Sequence, residues 1–181
     1  MNKTNIINLL KQYQPETAEE AKYKKDIIDF ITANEVYLGK GNINGHITGS
    51  AWILNIDKSK ALLTHHSKLD KWLQLGGHTE EYEDVLCSAL REAVEESGLK
   101  TLKIVSSNIF DIDVHLIPER KNEKEHYHYD VRFLLECDDK EPLTITAEES
   151  KDLKWIPIHK IIKYSQEQSI SRMVRKTFYL K

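Results

Sequence analysis

The sequence predicts an α/β fold of the α+β type, in one domain with a helical extension at the N-terminus. First, apolar residues recur at the three and four spacing of an amphipathic helix. They are Val85, Leu86, Ala89, Leu90 and Ala93. Second, residues 108–117 and 126–137 alternate apolar and polar side chains, which is typical of an antiparallel hairpin. Third, 181 residues suffice for one core of ordinary size.

The composition excludes several classes of protein. Apolar residues make up 40% of the chain, charged residues 30%, and the net charge is −3, so no surplus of Lys and Arg is available to bind nucleic acid. No apolar run approaches the roughly eighteen residues of a membrane span, and we expect no membrane partner. Cys87 and Cys137 have neither metal-ligand nor disulfide-framework spacing. We therefore expect a cytoplasmic protein.

Residues 1–35 are predicted to form the helical extension and residues 36–181 the main domain. One helix is expected over residues 4–13, and a second from Pro15 to about Ala33. We expect these helices to cover an open sheet edge, with a lid or a homodimer surface as alternatives.

The main domain is predicted to contain further strands and helices around the hairpin. Residues 47–56 and 60–65 indicate two strands joined by a tight turn. The remaining predictions are strands over 102–106 and 152–156, a short helix from 157 to 164, and a final helix over 167–179.

The amphipathic helix carries an acidic face. Glu92, Glu95 and Glu96 stand at i, i+3 and i+4, with Glu83 nearer the N-terminus. Carboxylates at this spacing repel one another, and Arg91 can neutralise only part of the charge. A solvated acidic face is one interpretation, and a site for a hard divalent cation is the other.

The spacing around this face matches the Nudix box at every fixed position. The matching residues are Gly77, Glu83, Arg91, Glu92, Ala93, Glu95, Glu96, Gly98 and Leu99. The chain thus resembles a Nudix hydrolase. That resemblance implies a mixed β-sheet sandwiched between helices, and a metal-dependent pyrophosphohydrolase. Its substrate would be a small molecule with a diphosphate linkage, such as a nucleoside diphosphate derivative.

The resemblance also implies roles for residues of this chain. The implied metal ligands are Glu92, Glu95, Glu96, the carbonyl of Gly76 and, through water, Glu83. Mg²⁺ is the implied cofactor, with Mn²⁺ as the alternative. Arg91 is expected to orient a carboxylate of the box.

The catalytic base is left open between Glu92, Glu96 and Glu149. In Nudix proteins an acidic residue shortly before a tryptophan such as Trp155 often serves as an extra ligand or base. Glu149 fits that spacing better than Glu148.

One side of the predicted hairpin, here called the polar hairpin face, is rich in ionisable groups. It comprises Asp111, Asp113, His115, His126, His128, Asp130 and Arg132. We expect His115, His126, His128, Asp130 and Arg132 to bind substrate or a second metal. The alternative is a face that meets water. Segments 65–69, 72–78 and 126–130 are similar to those of a subset of Nudix sequences.

A protein of another class fits the same resemblance. Nudix folds also serve as non-catalytic modules that bind or sense a phosphorylated ligand. Because every carboxylate of the box is present, the sequence favours the enzyme.

Overall fold

The computed structural model describes residues 3–119, 124–146 and 149–180. Its helices are α1 (Lys3–Gln12), α2 (Ala18–Ala33), α3 (Val85–Ser97) and α4 (Gln168–Thr177), with 3₁₀ turns at Gly39–Gly41 and Ile158–Lys163. Its strands are β1 (Gly45–Asn55), β2 (Lys60–His66), β3 (Lys71–Leu73), β4 (Leu75–His78), β5 (Lys103–Ile104), β6 (Asp111–Ile117), β7 (His126–Cys137) and β8 (Ser150–Pro157).

The strands form one mixed sheet in the order β3-β2-β1-β7-β5. Strand β4 also pairs with β1, β6 with β7, and β8 with β2. The central pair, β1 and β7, is parallel from Gly45 opposite Tyr127 to Asn55 opposite Cys137, and the other pairs are antiparallel. The long parallel ladder brings together two segments that no short turn connects.

Helices pack on both faces of the sheet, as predicted. Helices α1, α2 and α3 share a hydrophobic cluster with Ile47 and Val131 on one face. On the other face, Met173 of α4 packs with Trp52, whose indole N–H donates to Thr177 Oγ1 at 2.9 Å. The predicted α+β class, with a mixed sheet between helices, is confirmed.

Most predicted elements occur close to their predicted positions. The exceptions are small: the strand expected over 102–106 is reduced to two residues, and the helix expected over 157–164 is a 3₁₀ turn. Within the described ranges, every helix is too short or too polar to cross a bilayer.

The N-terminal helices are integrated with the sheet. Phe30 of α2 stacks on Tyr129 of β7 with ring centroids 4.1 Å apart. Glu20 of α2 is fully buried and accepts hydrogen bonds from Tyr13 and from Lys176 of α4. The boundary between residues 35 and 36, and the lid or homodimer role, stay predictions.

Candidate active site

Helix α3 presents the acidic face because local sequence fixes both its ends. The side chain of Asp84 accepts a hydrogen bond from the Leu86 N–H at 2.9 Å, which caps the N-terminus. Gly98 ends the helix in the left-handed conformation, with φ of 71°. Ala89 and Ala93 are buried against the sheet, so the glutamates lie along the side of the helix that faces β4 and solvent.

The double glycine allows β4 to pass close to α3. A Cβ on Gly77 would lie 2.5 Å from the carboxyl carbon of Glu92. A Cβ on Gly76 would lie 2.5 Å from Cα of Ser50 on β1. The Gly76 N–H donates to Glu96 Oε2 at 3.2 Å. Both glycines are therefore required by close approach, one to α3 and one to the sheet.

Arg91 links several glutamates of the box. Its Nε and Nη2 donate to the two oxygens of Glu83 at 3.1 and 3.0 Å, and Nη1 donates to Glu92 at 2.9 Å and to Glu95 at 3.2 Å. Nη2 also donates to the carbonyl of His78 at 2.9 Å. The hydrogen bonds from Arg91 lower the pKa of Glu83 to about 2, although burial opposes this shift.

Glu92, Glu96 and Glu149 act on one another electrostatically. Burial and the negative charges of Glu149 and Glu92 raise the pKa of Glu96 to about 8, although its hydrogen bond from Gly76 acts in the opposite direction. Burial also raises the pKa of Glu92, and the charges of Glu95 and Glu149 add to this. The structure thus brings Glu149, which lies just before β8, to the acidic face of α3, while Glu148 lies outside the described residues.

This arrangement fits a divalent cation. Burial and mutual repulsion disfavour the ionised forms of these carboxylates. A nearby positive charge would therefore stabilise the ionised forms strongly. Carboxylate oxygens are also the ligands that Mg²⁺ and Mn²⁺ prefer. Glu95 is exposed at the rim of the cluster. The Glu83 carboxylate accepts hydrogen bonds from Arg91, Ser88 and the Glu80 N–H.

Half of the polar hairpin face is enclosed in the protein. Arg132 is only 2% exposed and donates to Asp130 at 2.7 Å and to Asp111 at 3.0 Å. Asp130 also accepts hydrogen bonds from Thr48 and Ser50. This half does not meet water, and the predicted contact of Asp130 and Arg132 with substrate stays a prediction.

Helix α4 closes that half of the face. Arg172 donates to the two oxygens of Asp111 at 2.8 and 2.9 Å, and Lys176 donates to Asp111 at 2.7 Å. The buried carboxylate is therefore surrounded by cations from two elements.

The other half of the face is a cluster of histidines. His126 Nε2 lies 3.1 Å from His128 Nε2, and the rings of His115 and His128 have centroids 5.5 Å apart. His46 from β1 and His78 from β4 join them, each with its ring centroid about 5 Å from that of His128.

Burial keeps the centre of this cluster neutral. Burial and the charge of Lys40 lower the pKa of His78 to about 3. Burial and the neighbouring His78 lower the pKa of His128 to about 2. Both imidazoles are thus neutral near pH 7.

His46 and His78 were not among the residues predicted for the site. His46 reaches the cluster because β1 pairs with β7 in parallel, which sets His46 opposite His128. Alternation within one strand carries no information on such a distant partner. For His78, the sequence offered its position directly after the double glycine and its place in the segment 72–78.

Comparison with known proteins identifies the family. The family model for the NUDIX domain matches residues 45–177, and the chain belongs to this family. It is a hydrolase that acts on acid anhydrides in phosphorus-containing compounds, as the box predicted. The chain is 35% identical over 128 residues to a probable DHNTP pyrophosphohydrolase from Lactococcus lactis subsp. cremoris, an alignment that covers 69% of this chain and 75% of the relative.

Solved structures share the fold. A NUDIX-family hydrolase from Clostridium perfringens is 26% identical with a TM-score of 0.53, over 75% of this chain and 98% of that one. A C. elegans Ap4A hydrolase complex is 19% identical with a TM-score of 0.59, over 74% and 95%. The E. coli dihydroneopterin triphosphate pyrophosphohydrolase is 17% identical with a TM-score of 0.56, over 72% and 92%. At these identities, the last two establish the fold alone.

Proposed function

We propose that this protein is a divalent-cation-dependent pyrophosphohydrolase of dihydroneopterin triphosphate or a closely similar triphosphate. The observation that carries the proposal is the group formed by Glu92, Glu96 and Glu149 beside the Gly76 N–H. The substrate class follows from the L. lactis relative, which is described as a probable DHNTP (dihydroneopterin triphosphate) pyrophosphohydrolase.

Glu92, Glu95 and Glu96 hold the cation in this proposal, with the carbonyl of Gly76 as a further ligand and Glu83 acting through water. Mg²⁺ is the proposed ion and Mn²⁺ the alternative, because both accept carboxylate ligands. When bound, such an ion would neutralise phosphate oxygens and lower the pKa of a bound water.

Arg91 positions these carboxylates and does not bind phosphate. The N–H groups of its guanidinium donate to Glu83, Glu92, Glu95 and the His78 carbonyl. No pair of N–H groups is left to bind a phosphate. Loss of this planar fork would release Glu92 from its orientation.

Among the three predicted bases, Glu149 suits the role best. Glu92 accepts a hydrogen bond from Arg91, and Glu96 accepts one from Gly76, so both are committed to fixed positions. Glu149 is exposed and stands on a turn opposite α3. A carboxylate in that position can take a proton from an attacking water.

A substrate panel tests the proposal. Pyrophosphate and phosphate release would be measured for dihydroneopterin triphosphate, nucleoside triphosphates, nucleotide sugars and dinucleoside polyphosphates, with Mg²⁺ and with a chelator. We expect Mg²⁺-dependent release of pyrophosphate that is fastest with dihydroneopterin triphosphate. Faster hydrolysis of another class would contradict the substrate. If no compound in the panel is hydrolysed but ligands still raise the melting temperature, the result would favour the non-catalytic module.

A further inference from the structure

Three histidines from three strands converge on one point, across the sheet from the acidic site. His46 lies on β1, His78 on β4 and His128 on β7. The ring centroids of His46 lie 4.8 Å from those of both His78 and His128, and the last two are 5.1 Å apart. The strand pairings that create this cluster, β1 with β7 and β1 with β4, also form the centre of the fold.

The nitrogens are close enough to share one ion. One ring nitrogen from each histidine lies within 4.8 Å of the others. Nitrogens bound to one tetrahedral Zn²⁺ are about 3.4 Å apart, so small rotations of the rings would complete the coordination. Nε2 of His78 is buried and has no hydrogen-bond partner among the described residues. A buried nitrogen without a partner destabilises the folded state, and a bound metal ion would remove that penalty.

A fourth histidine fixes the orientation of one ligand. Nδ1 of His126 lies 2.7 Å from the carbonyl of Lys124, which requires the ring proton on Nδ1 and leaves Nε2 as an acceptor. His128 Nε2, 3.1 Å away, then donates to His126 and keeps a lone pair on Nδ1. A second ring that sets the tautomer in this way is a common companion of metal-binding histidines.

The cluster lies on the opposite side of the sheet from α3. Gly49 of β1 faces α3, since a Cβ there would lie 2.7 Å from the Val85 carbonyl. Alternation along β1 therefore directs His46 to the other side. The two sites are linked at β4, where the His78 carbonyl accepts a hydrogen bond from Arg91.

We propose that His46, His78 and His128 form a site for one transition-metal ion of the Zn²⁺ type, separate from the carboxylate site. Imidazole ligands select Zn²⁺ and similar ions, whereas carboxylates select Mg²⁺ and Mn²⁺. Three protein ligands leave a fourth position for water or an anionic ligand. This inference does not depend on the proposed substrate.

Metal titration of the full-length chain tests the site. After chelator treatment, Zn²⁺ would be titrated by calorimetry in excess Mg²⁺, which occupies the carboxylates. We expect one tightly bound Zn²⁺ per chain and an affinity at least about 100-fold lower in the His46→Gln/His78→Gln double variant. Glu96→Gln and His159→Gln, the latter at an exposed position outside the cluster, should bind as the wild type does.

Co²⁺ provides a second readout that is independent of turnover. Co²⁺ bound to imidazole nitrogens in a tetrahedral site absorbs visible light much more strongly than Co²⁺ bound to carboxylates in an octahedral site. His78→Gln alone, at a half-buried position, should weaken this absorption while the far-ultraviolet circular dichroism stays unchanged. The proposal is overturned if the wild type binds no Zn²⁺, if the histidine variants bind it equally well, or if Glu96→Gln abolishes binding.

Discussion

Arg91 and Glu83 are joined by two hydrogen bonds, of 3.1 and 3.0 Å, that use one edge of the guanidinium and both oxygens of the carboxylate. The other edge of Arg91 reaches Glu92. Because Glu92 is a proposed metal ligand, the Arg91–Glu83 pair would help to orient that ligand from a residue that precedes α3.

Replacing Arg91 by Lys keeps the charge and removes the planar fork. We expect Arg91→Lys to lower kcat by about 10- to 100-fold with little change in KM, because Glu92 loses its orientation while substrate contacts remain. Steady-state kinetics at saturating Mg²⁺ would measure both constants. An unchanged kcat, or a rise in KM alone, would refute the positioning role.

Removing the carboxylate of Glu149 tests the assignment of the base. Glu149→Gln should lower kcat by about 100-fold or more, because the variant has no carboxylate to take a proton from the attacking water. Mg²⁺ affinity should change little, because Glu149 is not among the proposed ligands. Glu149→Asp, which keeps the carboxylate, should recover part of the activity. A large loss of Mg²⁺ affinity in Glu149→Gln would instead make Glu149 a metal ligand.

The pKa of Glu96 predicts how stability depends on pH in the absence of metal. Burial and nearby carboxylates raise this pKa from 4.5 to about 8, so the folded state holds a proton that the unfolded state has released. The contribution of protonated Glu96 to the free energy of unfolding is therefore fully present below pH 4.5, and it is lost as the pH rises through 8. The loss approaches about 1.4 kcal/mol per pH unit within this window.

Urea unfolding at pH 5 and at pH 8 with a chelator would detect this loss. Glu96→Gln, which is neutral at every pH, should show a smaller decline than the wild type. Equal declines in the wild type and Glu96→Gln would show that the Glu96 carboxyl is not perturbed.

Lys176 should stabilise the contact between α4 and the N-terminal helices. Its Nζ donates to Tyr13 at 2.6 Å, Glu20 at 3.1 Å and Asp111 at 2.7 Å, and both carboxylates are fully buried. Lys176→Met removes one positive charge that compensates these buried carboxylates. We therefore expect the free energy of unfolding to fall by about 3–5 kcal/mol.

Arg175 provides the matched control for this change. It is next in sequence, half-exposed, and paired with the partly exposed Glu16. Arg175→Met should cost less than about 1 kcal/mol, because solvent screens such pairs. Similar losses for the two variants in denaturant unfolding would argue against a buried ionic network.

The acidic site could be predicted because its parts are close in sequence. Glu92, Glu95 and Glu96 lie within one helix, so their spacing alone sets them on one surface. The double glycine also lies shortly before this helix. Placing these three carboxylates on one surface therefore needed no knowledge of tertiary structure, whereas their predicted role as metal ligands came from the resemblance to the Nudix box.

The polar hairpin face could be predicted only in part, for the opposite reason. Alternation correctly grouped Asp130 and Arg132 on one side of β7, but it could not indicate what covers that side. Arg172, which closes it by bonding to Asp111, lies 61 residues further along the chain. Likewise, His46 joins His128 through a parallel ladder, whose partners are fixed by the whole sheet and not by local sequence.

The most direct test of the account is the rate of pyrophosphate release from dihydroneopterin triphosphate by the wild type and by Glu96→Gln, over a range of Mg²⁺ concentrations. This substitution removes one proposed ligand charge and retains the shape of the side chain. We expect Mg²⁺-dependent turnover in the wild type and a loss of more than about 100-fold in a variant with unchanged circular dichroism. Turnover by Glu96→Gln at the wild-type rate and with the same Mg²⁺ dependence would contradict the central claim that Glu96 holds the catalytic cation.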